Sequence, residues 1–73
     1  MIQLFFRDNR EPVELYLEEG WFLAKDSYVN IDIETMDVYD FSENDESPPI
    51  TASCSHIQFD NGKFIWEVGK YEQ

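Results

Sequence analysis

YVNIDIETMDVYDF, residues 28–41, decides the fold, because Val29, Ile31 and Ile33 alternate strictly with Asn30, Asp32 and Glu34. A period of two gives a strand one buried and one solvated face. Thr35 and Met36 mark a tight turn, and Val38, Tyr39 and Phe41 continue as a return strand, so the segment predicts an antiparallel hairpin.

The same pattern extends in both directions. Toward the N-terminus, Ile2, Leu4 and Phe6 fall on one side of a strand with Gln3 and Phe5 on the other, followed by the polar run Arg7 to Arg10. Val13, Leu15 and Leu17 alternate with Glu14, Tyr16 and Glu18, and Glu19-Gly20 leads into a further apolar run, Trp21 to Ala24. A short helix near residues 11–19 is the competing reading, with Pro12 in its first turn and Gly20 just past its end. Strands are favoured, since Glu18 and Glu19 would lie at the negative end of the helix dipole and so short a helix is marginal alone.

Toward the C-terminus, residues 42–49 (SENDESPP) form a loop, because consecutive prolines cannot donate ladder hydrogen bonds. Ile57 and Phe59 precede Asp60-Asn61-Gly62, after which Phe64, Trp66 and Val68 alternate with Lys63, Ile65 and Glu67, a hairpin around a strong Asn-Gly turn signal. The expected fold is therefore mainly β, a small antiparallel sheet or barrel of five to seven short strands forming a single domain over residues 1–73. Ile2, Leu4, Phe6, Val13, Leu15, Leu17, Phe59, Phe64, Trp66 and Val68 supply a one-sided core. Phe5, Tyr16, Phe22, Tyr39 and Ile65 fall on the opposite parity, to be covered by closure of the sheet, by a partner or by a second copy in a homodimer.

Composition narrows the classes of function. Sixteen acidic residues against five basic ones give a net charge of −11 in 73 residues, which repels nucleic-acid backbones and anionic membranes and attracts basic protein surfaces. Direct nucleic-acid and membrane binding are disfavoured. One cysteine, no basic leader and no long apolar run point to a cytoplasmic chain without signal peptide or membrane span. Aromatics at 16% and hydrophobics at 42% suffice for a folded core.

The charge is concentrated. Residues 26–49 hold Asp26, Asp32, Glu34, Asp37, Asp40, Glu43, Asp45 and Glu46 with no Lys or Arg, which is −8 of the −11. A hairpin of about seven-residue strands is roughly 23 Å long, so these charges average about one per 3 Å. Duplex DNA carries about one per 1.7 Å, a density of the same order. A solvated strand face, or an acid-rich halophilic surface, gives the same composition without any partner.

Motifs for chemistry fall short. Asp40, Ser42, Asn44 and Glu46 have the alternating oxygens of a calcium loop, but Asp45 stands at its glycine position and Thr51 at its bidentate glutamate position. Cys54 and His56, two apart, would share a strand face as nucleophile and base, yet no second histidine, four-ligand zinc set or glycine-rich cradle accompanies them. Carboxylate pairs are too abundant to single one out, and the Ser42 to Asp45 spacing of an acidic kinase consensus is too loose to carry weight. A chain this small also has little material for a pocket of several hundred cubic ångströms.

No catalytic residue, metal or cofactor is therefore expected. The reading is a cytoplasmic, non-enzymatic inhibitor that blocks a basic, nucleic-acid-binding protein through an acidic face centred on Asp32, Glu34, Asp37 and Asp40. Glu43, Asp45 and Glu46 extend the charge, and Tyr28, Tyr39 and Phe41 anchor the contact. Small anti-defence inhibitors of phages and mobile elements that mimic DNA offer an analogy of size, charge and compactness. The alternatives are an immunity protein or antitoxin neutralising a cationic nuclease, and a small structural or accessory subunit of an oligomer.

Overall fold

The computed structural model of the chain describes residues 1–60, 62 and 64–67, with the backbone alone at 64–67. Its strands are β1 (Ile2–Phe6), β2 (Val13–Glu18), β3 (Trp21–Ala24), β4 (Val29–Asp32), β5 (Val38–Asp40), β6 (Cys54–Gln58) and β7 (Phe64–Glu67), with a 3-10 turn at Thr51–Ser53. All seven belong to one antiparallel sheet in the order β5-β4-β3-β2-β1-β6-β7, curled into a half-barrel. No helix among the described residues is long and apolar enough to cross a membrane.

The first five strands form a meander in which each pairs with its sequence neighbour. Residues 13–18 are strand, not helix, and β2 turns into β3 at Glu19-Gly20 with Glu18 opposite Trp21. Both turn residues have positive φ, 43° and 88°, the left-handed pair of a two-residue turn whose twist matches that of the strands it joins. The β4–β5 turn is held by Asp32, whose Oδ1 accepts the backbone N–H groups of Glu34 (2.8 Å) and Thr35 (3.4 Å). Met36 adopts φ 64° there. The two turns lie at the same end of the sheet and are tied together by the Ile33 N–H donating to the Gly20 carbonyl at 3.0 Å.

Curling is completed by residues 50–53. The Ile50 N–H donates to the Val38 carbonyl (2.7 Å), and the Val38 N–H donates to Thr51 Oγ1 (2.9 Å), so both backbone groups of Val38 on the free edge of β5 are satisfied. The chain then enters β6, which runs back along β1. A seam of side-chain and backbone bonds thus replaces the ladder that would close a full barrel.

The concave face carries the core: Leu4, Phe6, Leu15, Phe22, Val29, Ile31, Val38, Cys54 and Ile57, with Ile2, Val13, Ala24, Ile33 and Ile50 packed against it. Three expectations are corrected here. Phe22 points inward, because the two-residue turn sets its register opposite Leu17, so Trp21 and Leu23 take the outer face instead. Leu17, although on the inner parity, lies beyond the end of β1, where no described residue covers it, and is 60% exposed. Phe59 has left β6 and is 41% exposed. The side chains of Phe64, Ile65 and Trp66, and all of Lys63 and Val68, lie outside the described residues.

A bulge breaks the β1–β6 ladder. Phe5 is opposite His56 but Phe6 is opposite Cys54, leaving Ser55 as the extra residue. Alternation is therefore interrupted between Cys54 and His56, which contradicts their expected placement on one strand face.

Candidate partner-binding face

Cross-strand partners share a face, so the register maps the convex side of the sheet row by row. One row crosses three strands as Glu18, Trp21 and Asp32. The next crosses four as Tyr16, Leu23, Asn30 and Tyr39. Beyond it, the Phe41 N–H donates to the Tyr28 carbonyl at 3.0 Å, which sets Tyr28 opposite Phe41. The rings of Tyr39 and Phe41 stack at 5.4 Å between centroids, and Trp21 tilts against Tyr39 at 6.4 Å. Trp21, Tyr39 and Phe41 thus form an aromatic track across β3–β5, with Tyr16 40% and Tyr28 65% exposed at its margins.

Trp21 is the member of this track that sequence reading missed. It sat in a run of four apolar residues, WFLA, with no alternation to separate inner from outer positions. The Glu19-Gly20 turn signal was present, and pairing across it would have placed Trp21 beside Glu18 on the outside.

The structure divides the sequence-predicted acidic residues. Asp32 and Asp37 face each other at the β4–β5 turn, the Asp32 N–H donating to the Asp37 carbonyl at 3.0 Å, and Glu34 is exposed at its tip. Asp37 Oδ1 accepts the Thr51 hydroxyl at 3.5 Å. Asp40 pairs with buried Val29, so it lies on the opposite parity from Asp32, at the rim of the concave side, with Oδ1 accepting the Ser42 N–H at 2.9 Å. Glu43, Asp45 and Glu46 are exposed in the 42–49 loop beyond the other end of β5.

What the contiguous acidic run loses, the topology returns from elsewhere. Glu18 and Glu19 belong to the β2–β3 turn, which is bonded to the β4–β5 turn. Five acids, Glu18, Glu19, Asp32, Glu34 and Asp37, therefore collect at one end of the sheet beside Trp21. Among the described residues, the Lys and Arg side chains, Arg7, Arg10 and Lys25, follow the strand ends at the opposite side of the meander. Two of them are already engaged: Lys25 with Glu14 at 3.2 Å and Arg10 with Asp8 at 3.3 Å. The Arg10 backbone N–H bond, followed by the Arg10 charge and side chain, holds the Asp8 carboxyl below its ordinary value against the opposing effect of desolvation.

Other residues with chemical potential are placed apart. Cys54 is wholly buried, its Sγ 3.6 Å from the Ile50 carbonyl, and burial pushes its thiol up to about 11. His56 is on the outer face, stacked on Phe5 at 4.7 Å and 7°, with Ser55 Oγ at Nδ1 (2.9 Å) and Gln58 Oε1 at Nε2 (3.1 Å). In the loop, Asn44 Oδ1 is occupied by the Glu46 N–H at 2.8 Å, so Asp40 and Asn44 serve local turns. An open cleft of about 410 Å³ lies beside Gln3, Val13 and Ser27 and is edged by Glu11, Glu14 and Asp26. It is larger than the length of the chain suggested, but no aromatic ring lines it among the described residues and its Glu14 is paired with Lys25.

Comparison of the chain with protein-family models, curated proteins and solved structures returns no match.

Proposed function

We propose that this chain is a small, non-enzymatic, cytoplasmic binding protein that occupies a basic, nucleic-acid-binding surface of another protein. The observation that carries the reading is the convergence of Glu18, Glu19, Asp32, Glu34 and Asp37 beside Trp21, away from the described Lys and Arg side chains, which follow β1 and β3 at the opposite end of the sheet. Such a surface has the two parts an interface needs. Carboxylates steer a cationic partner into encounter, and semi-exposed rings supply apolar area once it arrives. Trp21, Tyr39 and Phe41, half-buried on the outer side, supply a contiguous patch of that kind.

Capture from lysate tests this. The wild type and a variant carrying Glu18→Gln, Glu19→Gln, Asp32→Asn, Glu34→Gln and Asp37→Asn are compared at low and high salt. The expected result is a basic, nucleic-acid-binding protein retained by the wild type at low salt, released by salt and lost from the variant. Retention of the same partner by the neutralised variant would overturn the proposal.

A further inference from the structure

The Glu18, Trp21 and Asp32 row has a more specific chemistry than a diffuse negative surface. Adjacent strands lie about 4.8 Å apart, so the two carboxyl-bearing residues are about 10 Å apart across β3 with the indole between them. Asp32 is held in place by the N–H groups of Glu34 and Thr35 on Oδ1, which leaves its Oδ2 without a hydrogen bond among the described residues. Glu18 is exposed and carries no ion pair among the described residues. Tyr39, tilted 54° against Trp21, forms a wall beside the indole.

A planar cation fits this arrangement better than a spherical one. A guanidinium stacks on an indole through its face and presents N–H donors outward in its plane to carboxylates on either side, whereas an ammonium offers a compact, strongly hydrated charge. The chain already uses such a grouping internally. The Arg10 guanidinium lies 4.5 Å above the Phe6 ring while paired with Asp8.

We propose that the Glu18, Trp21 and Asp32 row seats a single arginine side chain of the basic partner, an inference that rests on the functional reading above. Arginine is thereby distinguished from lysine at this one position, while the remaining acids respond to charge alone.

The test uses fluorescently labelled hexa-arginine and hexa-lysine peptides, titrated by anisotropy at low salt against the full chain. Two-dimensional nitrogen–proton spectra follow the two tryptophan indole N–H signals, assigned with a Trp66→Phe variant. Hexa-arginine is expected to bind about three- to tenfold tighter than hexa-lysine and to shift the Trp21 indole signal. Trp21→Leu, with its fold checked by circular dichroism, is expected to erase the preference while retaining salt-sensitive binding of both peptides. Equal affinities with an unmoved Trp21 signal would overturn the arginine seat and leave the functional reading standing. Failure of both peptides to bind would overturn both.

Discussion

Thr51 is the one buried polar residue of the described core, and its hydroxyl does two jobs at the seam: it accepts the Val38 N–H and donates toward Asp37. Valine at this position keeps the shape and strands a buried donor, which costs about 1–3 kcal/mol. Urea denaturation should show Thr51→Val destabilised by that amount, with Thr51→Ser much closer to the wild type. An unchanged midpoint for valine would mean that the seam adds nothing to stability. Glu19 makes the opposite case. A glutamate at φ 43° occupies a backbone region that asparagine or glycine tolerates better, and it adds a charge to an already acidic end. Glu19→Asn should therefore raise stability by about 0.5–1 kcal/mol in the same assay and weaken capture of the proposed basic partner. Thr51 reads in the sequence as an ordinary loop residue, and Glu19 as a turn residue with nothing to mark its positive φ.

Among the elements, the strands with strict alternation and a clear turn signal were legible. Val29 to Ile33 announced β4, and Glu19-Gly20 announced the β2–β3 hairpin. The bulge at Ser55 was not, because a one-residue offset between β1 and β6 depends on a partner some fifty positions away and leaves no local mark. Its consequence is chemical. Cys54 turns into the core as a thiol raised from 9.0 to about 11 by desolvation, while His56 stays outside. The fold thus favours the protonated thiol, so this contribution to stability is whole below pH 9.0 and is lost as pH rises through about 11. At pH 8, alkylation of native Cys54 should run at least about a hundredfold slower than in denaturant, from thiolate fraction alone. Deleting Ser55 removes the offset. The ladder then runs unbroken, with Phe5 still opposite His56 and Phe6 still opposite Cys54, so slow labelling of Cys54 is expected to persist, and rapid labelling of the folded deletion variant would refute this register.

For the whole molecule, net charge was plain in the sequence but its distribution was not. The run at 26–49 suggested one acidic hairpin face. In the fold, Asp40 and the 42–49 loop are separated from Asp32 and Asp37, and Glu18 and Glu19 join from a different third of the chain. Pairing order, which single-strand patterns do not encode, decides that regrouping. A molecule at −11 repels itself, and raising ionic strength from 0.01 M to 0.15 M shortens the screening length from about 30 Å to about 8 Å. Its thermal midpoint should rise over this range while affinity for a basic partner falls. Two responses of opposite sign in one titration separate folding electrostatics from binding electrostatics, and parallel responses would refute this assignment of the charges.

The return of β6 to β1 has a consequence for the order in which the chain acquires its structure. Hairpins β1–β2 through β4–β5 need only neighbouring residues, but Phe5 must meet His56 and Val38 must meet Thr51 before the concave face is sealed. A folding chain that has formed the meander still leaves Leu4, Ile31 and Val38 facing water until residues 50–58 arrive, so the long-range pairing of β6 with β1 is the step that sets the pace of burial. Over that interval the like charges of the acidic turns oppose association of one incompletely folded chain with another.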